Sequence, residues 1–89
     1  MPTVKFTSNL ERFFPYAEVD VDSNNLLELI LKLDEIRPRF STYLLMDNHQ
    51  LREHVNIFID GVLHTERENL DMEIAHNSEI YIMQALSGG

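Results

Sequence analysis

The sequence predicts an α+β fold in which a mixed sheet of four or five strands packs on one main helix. Two short runs of alternating apolar and polar residues come first, an amphipathic helix pattern follows, and further strand patterns complete the chain. The order is strand, strand, helix, strand, strand, strand, with no internal repeat and no linker. We therefore expect a single domain over residues 1–89, with a flexible tail at 86–89.

The first two strands are expected to form a hairpin. Residues 4–7 alternate in a short β-type run, and residues 17–22 place Ala17, Val19 and Val21 on one face of a half-buried strand. The opposite face is acidic. A catalytic carboxylate pair has to converge in a cleft, so we expect these acidic side chains to lie in solvent instead. The acidic side chains of this face are Glu18, Asp20 and Asp22.

A helix is predicted from a cluster of capping residues at 22–25 to about Ile36. Its apolar side chains recur at i, i+3, i+4 and i+7, and two further leucines widen the stripe, so the helix should be largely buried. Pro38 disfavours helical geometry at the residue before it and marks the end. The stripe consists of Leu26, Leu29, Ile30 and Leu33, and the two residues that widen it are Leu27 and Leu31.

The second half of the chain contains a clear hairpin signal. Residues 55–59 form the strongest strand pattern, and Asp60-Gly61 joins them to a second β run at 62–65. Before this hairpin, residues 40–45 are compatible with a short helix.

The last strand is predicted at residues 79–86. Both of its faces carry apolar side chains, which is typical of a strand in the centre of a sheet. Pairing beside the first strand would bury both faces. The stretch before it, residues 70–74, alternates only briefly, and we interpret it as an edge strand or a turn.

Composition excludes several classes of function. The formal net charge of −8 leaves no basic footprint for nucleic acid, although an acidic surface gives solubility or steers the chain toward a basic partner. The absence of cysteine excludes a disulfide framework, a thiol nucleophile and thiolate metal ligands.

No apolar run approaches a membrane span or a signal peptide, so a cytoplasmic location is expected. We expect no metal site, because the spacing of the histidines does not resemble a zinc motif: His49, His54, His64 and His76.

The chain ends in the sequence Ala85-Leu86-Ser87-Gly88-Gly89. Glycine has no Cβ, so this end is thin, and three residues beyond a strand reach roughly 10 Å. A thin end can enter a channel that a side chain would block. The terminal carboxylate is ionised at neutral pH and is a poor electrophile. It becomes reactive only if another enzyme activates it, for instance as a mixed anhydride with AMP.

This combination resembles the sulfur-carrier proteins of the ubiquitin-like β-grasp superfamily, which include the small subunit of molybdopterin synthase and the sulfur carrier of thiamin biosynthesis. The resemblance covers essentially the whole chain. Its most specific parts are the terminal diglycine, the strand and turn at 51–61, and Glu79-Ile80-Tyr81-Ile82. Asn77-Ser78 and Met83-Gln84 depart from the common pattern, which leaves the branch of the family open.

The resemblance implies a carrier that performs no turnover itself. A ubiquitin-activating-type adenylyltransferase would use ATP to adenylate Gly89, and a sulfur donor would convert the adenylate into a thiocarboxylate. The sulfur would pass to an acceptor enzyme, such as a larger synthase subunit, in cofactor, cysteine or tRNA-thiolation biosynthesis. Gly88 would give clearance, and Ser87 and Leu86 would position the end. No cofactor is expected to be bound by the chain.

Two alternatives stay open. The same adenylate could be attacked by a lysine, which would make the chain a ubiquitin-like protein modifier attached through Gly89. The chain could also be a plain interaction domain whose diglycine is incidental. In each case an exposed apolar patch would mark a docking site for a partner. The residues predicted for it are Phe58, Tyr81 and Met83.

Overall fold

The computed structural model describes residues 1–7 and 18–84. Within these residues the chain forms two strands, two short helices separated by a 3₁₀ turn, and three further strands, in the predicted order. The elements are β1 (Thr3–Phe6), β2 (Glu18–Asp20), α1 (Leu26–Lys32), the 3₁₀ turn (Leu33–Glu35), α2 (Ser41–Leu44), β3 (Val55–Ile59), β4 (Val62–Leu63) and β5 (Glu79–Gln84).

The five strands form one mixed sheet in the order β2-β1-β5-β3-β4. β5 lies at its centre, parallel to β1 and antiparallel to β3, as its two apolar faces predict. Ile82 is paired with Phe6 on one side and with Ile57 on the other. The sheet packs on α1, so the predicted α+β architecture is confirmed.

The core lies between one face of the sheet and α1. All four residues of the predicted helix stripe are fully buried, and they contribute to one cluster with the inward side chains of β1, β3 and β5. These inward side chains are Val4, Phe6, Val55, Ile57, Ile80 and Ile82.

One part of the helix prediction is wrong. Leu27 is half-buried and packs against the core, but Leu31 is 37% exposed and does not widen the stripe. At 3.6 residues per turn, Leu31 lies about 150° from the centre of the stripe, beyond the reach of the sheet. The helical geometry tightens to a 3₁₀ turn after Lys32 and ends at Ile36, two residues before the proline.

The segment at residues 70–74 is not an edge strand. Its main chain covers the start of α1 instead, because the carbonyls of Met72 and Leu70 accept the N–H groups of Leu26 and Leu27 at 2.9 and 3.0 Å. The first N–H groups of a helix have no partner within it, and these two bonds satisfy them. The capping residue is Asn25, whose side chain accepts the N–H of Glu28 at 3.0 Å.

The Asp60-Gly61 turn joins β3 to β4 as predicted. Both residues have positive φ angles, 50° and 85°, the combination that a two-residue hairpin loop of type I′ requires. The Asp60 carboxylate also accepts the hydroxyl of Ser78 at 3.1 Å and the N–H of Glu79 at 2.9 Å. The turn is therefore tied to the start of β5, and Ser78 is buried there.

Strand bounds differ from the predictions at several ends. β4 stops at Leu63 and β2 at Asp20, in each case two residues earlier than predicted. The expected second short helix is present as α2. Positions 17, 85 and 86 of the predicted strands lie outside the described residues.

Candidate functional site

The predicted tail, Leu86, Ser87, Gly88 and Gly89, lies outside the described residues. The structure does describe the strand that leads to it. β5 runs through the middle of the sheet and ends at Gln84, five positions before the terminal glycine. The last described residues of the chain are thus anchored between two neighbouring strands.

Thr7 is hydrogen-bonded to this end of β5 through both its main chain and its side chain. Its N–H donates to the carbonyl of Ile82 at 3.2 Å, and its hydroxyl Oγ1 accepts the N–H of Gln84 at 3.3 Å. Because β1 and β5 are parallel, the end of β1 is also the end from which the chain continues toward Gly89.

The three predicted docking residues lie together on the outer face of the sheet. Tyr81 and Met83 alternate along β5 with the fully buried Ile80 and Ile82, so they point away from α1. Phe58 on β3 lies directly opposite Tyr81. All three predicted side chains are half-buried, which leaves part of each apolar surface in contact with solvent.

Leu63 belongs to the same surface but was not among the predicted residues. It is 44% exposed and lies opposite Phe58 across the β3–β4 hairpin. We call the surface of Phe58, Leu63, Tyr81 and Met83 the outer patch. Leu63 could have been predicted by counting residues outward from the Asp60-Gly61 turn. A two-residue loop fixes the strand register, so the second residue before the loop lies opposite the second residue after it.

Charged groups border the outer patch on two sides. Lys5 lies opposite Tyr81 on β1, and its Nζ forms an ion pair with Glu79 at 3.2 Å. On the other side, Arg67 donates from Nη1 to Oδ1 of Asn56 at 3.1 Å, and Asn56 is the cross-strand partner of Met83. An apolar centre with a polar rim is the usual anatomy of a protein interface.

The acidic face of the second strand shows no sign of a catalytic pair. Glu18 and Asp20 are exposed, and Asp20 accepts the hydroxyl of Thr3 at 2.7 Å.

Within residues 1–7 and 18–84, no group of three or more histidine and acidic side chains could hold a metal ion. The Nε2 atom of His64 is buried and has no hydrogen-bond partner in this part of the chain.

The architecture is that of the ubiquitin-like β-grasp proteins. Solved structures of this class match the chain over nearly its whole length. One is a chain of the BexX/CysO complex of Amycolatopsis orientalis, 18% identical, with a TM-score of 0.85 and 100% of both chains covered. Another is CysO of Mycobacterium tuberculosis, described as an antigen, at 20% identity and a TM-score of 0.83, with 97% of this chain and 100% of that chain covered.

A third similar structure is small archaeal modifier protein 1 from Methanosarcina acetivorans. It is 22% identical, has a TM-score of 0.81, and the match covers 99% of this chain and 95% of that chain. No protein-family model and no curated protein matches the sequence. At these identities the similarity shows the fold, and the expected β-grasp class is confirmed at that level. The helices of the described ranges are all too short or too polar to cross a membrane.

Proposed function

We propose that the chain is a sulfur carrier whose working group is the carboxylate of Gly89. The observation that supports this most directly is the course of β5, which carries two residues of the outer patch and ends five residues before a diglycine terminus. A partner that docks on the patch is thereby close to the start of the tail. The similarity in fold to CysO and to small archaeal modifiers supports the same class.

In the proposed reaction, a ubiquitin-activating-type adenylyltransferase binds the chain and ATP. A carboxylate oxygen of Gly89 attacks the α-phosphate, pyrophosphate leaves, and an acyl-adenylate forms. Hydrosulfide from a sulfur donor then attacks the carbonyl carbon, AMP leaves, and a thiocarboxylate results. The chain supplies a narrow end with no Cβ at Gly88 or Gly89, and Ser87 and Leu86 set its position.

The thiocarboxylate would donate its sulfur to an acceptor enzyme in cofactor, cysteine or tRNA-thiolation biosynthesis. A larger synthase subunit is one such acceptor. In this proposal the whole chain, residues 1–89, acts as one carrier domain in the cytoplasm and binds no cofactor of its own. ATP is used by the activating partner.

A second candidate function is protein modification through the same terminus. It is favoured by the similarity to small archaeal modifier protein 1. Here a lysine amine attacks the adenylate instead of sulfide, AMP leaves, and an isopeptide bond to Gly89 forms. Both functions share the activation step and differ in the nucleophile that follows.

The test is intact mass spectrometry of the chain after incubation with the adenylyltransferase of the same organism, ATP and sulfide. A sulfur carrier gains the mass difference between one sulfur and one oxygen, and the change maps to the C-terminal peptide. A modifier shows lysine-linked conjugates in lysate that disappear when Gly88-Gly89 is deleted. An unchanged mass without conjugates would contradict both functions and favour a plain interaction domain.

We expect Met83→Glu to weaken docking of the adenylyltransferase on the outer patch. A charge at the centre of an apolar interface costs about 2 kcal/mol or more, which corresponds to roughly a thirtyfold rise in KM for the carrier. The measurement is ATP–pyrophosphate exchange at varied carrier concentration. Met46→Glu is the matched control, because Met46 is 39% exposed and lies outside the sheet.

The control is expected to keep the KM of the unmodified chain within about twofold. Thermal unfolding followed by circular dichroism shows whether either variant has lost stability. Equal KM values for the two folded variants would show that the outer patch takes no part in docking.

A further inference from the structure

A tight turn between the 3₁₀ turn and α2 contains two of the seven basic residues of the chain. The N–H of Phe40 donates to the carbonyl of Arg37 at 3.0 Å, which closes a four-residue turn over residues 37–40. Pro38 occupies the second position, and Arg39 occupies the third with a φ of 65°. These are the features of a type II turn, which favours glycine or asparagine at the third position. We call residues 37–40 the arginine turn.

The positive φ of Arg39 is unusual for its residue type. Among the described residues, two other non-glycine residues have positive φ, His49 and Asp60, and both belong to types that are enriched in this conformation. Arg39 is exposed, so packing in the core does not explain an arginine at this position. Backbone strain of this kind clusters at functional sites, which directs attention to the side chains of the turn.

Contacts on both sides hold the arginine turn in place. The Asp34 carboxylate accepts the N–H and the hydroxyl of Ser41, each at 2.7 Å, and so joins the chain before the turn to the chain after it. Phe40 is fully buried, and its ring lies edge-on to that of Phe6 with 5.6 Å between the centroids. Because Phe6 faces the core, the turn lies on the helix side of the sheet, away from the outer patch.

The guanidinium groups of Arg37 and Arg39 form no ion pair with any side chain of residues 1–7 and 18–84. Both residues line one open cavity of about 410 Å³, together with Pro38, Thr42 and Tyr43. In a chain with a net charge of −8, this pair of exposed cations is a local exception. A planar guanidinium group binds the two oxygens of a carboxylate through paired N–H donors, so the cavity suits an acidic ligand.

Two observations favour a protein segment over nucleic acid or free phosphate as this ligand. The acidic chain lacks the broad basic surface that nucleic acid requires. Exposed apolar side chains also border the site, because Tyr43 lines the cavity and Thr42 connects it to a second cavity lined by Leu31 and Met46. A phosphate ion would leave this apolar surface in water, whereas a peptide can cover it.

We propose that the arginine turn and Tyr43 form a docking site for an acidic segment of a partner protein. Carboxylates of the segment bind the guanidinium groups of Arg37 and Arg39, and an apolar side chain of the segment packs on Tyr43. The fixed turn lowers the entropy cost of binding, because the main chain of both arginines is already held. The site involves neither Gly89 nor the outer patch, so this inference goes beyond the proposed function and does not depend on it.

The test is an NMR titration of the isotope-labelled full chain with the synthetic peptide acetyl-Glu-Glu-Leu-Glu-Glu-Leu-amide. We expect saturable shifts of the main-chain amides of the arginine turn, Thr42 and Tyr43, with a Kd in the millimolar range. Inorganic phosphate at the same concentrations should cause much smaller shifts of these amides. Absence of peptide-induced shifts at these residues would overturn the proposal, and so would equal shifts with phosphate, since the site would then need no protein segment.

Arg37→Gln and Arg39→Gln should each raise the Kd of the peptide about threefold, because exposed ion pairs contribute up to roughly a factor of five. Lys32→Gln is the matched control. It removes the same unit of charge at a side chain that is paired with Glu28 and does not line the cavity. The control should leave the Kd unchanged. An equal rise in all three variants would show that net charge alone governs binding and would overturn the site.

Arg39→Gly separates binding from structure at the strained position. Glycine adopts a positive φ without strain, so the midpoint of thermal unfolding should not fall, while the Kd rises as it does in Arg39→Gln. A lower midpoint would contradict the strain at Arg39 on which the assignment depends. A Kd equal to that of the unmodified chain in both Arg39 variants would show that this side chain does not bind the segment.

Discussion

A single alanine added after Gly89 should reduce sulfur loading by at least about a hundredfold. The added residue moves the carboxylate one residue further along and places a Cβ where the proposed mechanism requires a side-chain-free end. Displacement of a reacting group by about 1 Å can already cost a factor of roughly 10². The measurement is the initial rate of thiocarboxylate formation, followed by intact mass spectrometry with the adenylyltransferase, ATP and sulfide.

The matched control carries the same alanine before Met1, which is an exposed residue far along the chain from the diglycine. It should load at the rate of the unmodified chain. Undiminished loading of the C-terminally extended chain would show that the carboxylate of Gly89 is not the activated group. Undiminished partner binding together with lost loading would show that the terminus acts in the chemistry and is not needed for recognition.

Leu29→Ala should lower the free energy of unfolding by about 2–5 kcal/mol. Leu29 is fully buried in the helix stripe against the inward face of the sheet, and truncation there removes apolar contacts and leaves a cavity. A small domain has a total stability of roughly 5–15 kcal/mol, so this single change would remove a large part of it. Urea denaturation followed by circular dichroism measures the loss.

The control is Leu31→Ala, the same substitution two positions further along the same helix. Leu31 is 37% exposed, so we expect a loss of about 1 kcal/mol or less. Because both changes alter helix propensity equally, the difference between them reports burial alone. Equal losses at the two positions would contradict the packing of α1 described above.

Local patterns predicted most of the secondary structure. The i, i+3, i+4, i+7 spacing identified the three buried residues of α1 and Leu33 of the 3₁₀ turn, and the Asp60-Gly61 pair identified the β3–β4 hairpin. The prediction for Leu31 failed because residues flanking a helix stripe are buried only as far as the opposing surface extends. Of the two alternatives for residues 70–74, the edge strand was wrong, because the main chain of this segment hydrogen-bonds to the start of α1 and not to the sheet.

The candidate site was predicted unevenly. Phe58, Tyr81 and Met83 share one surface because alternation along a strand separates its two faces, and their role in docking stays a prediction. Leu63 was missed, although the hairpin register contains it. Arg67 could not be found from sequence, because its bond to Asn56 joins a loop to a strand through side chains alone. The diglycine is still a sequence observation, and its role is a proposal.

Periodicity and turn chemistry act over a few residues, so local patterns were enough to predict the buried helix stripe and the Asp60-Gly61 turn. The register of β1 against β5 could be read only from the folded chain, in which Thr7 meets Gln84 across 77 positions of the sequence. Such long-range pairing depends on how the whole sheet packs on the helix, and a slip of one residue would exchange the two faces of a strand. The same register places Lys5 beside Tyr81, at the border of the outer patch.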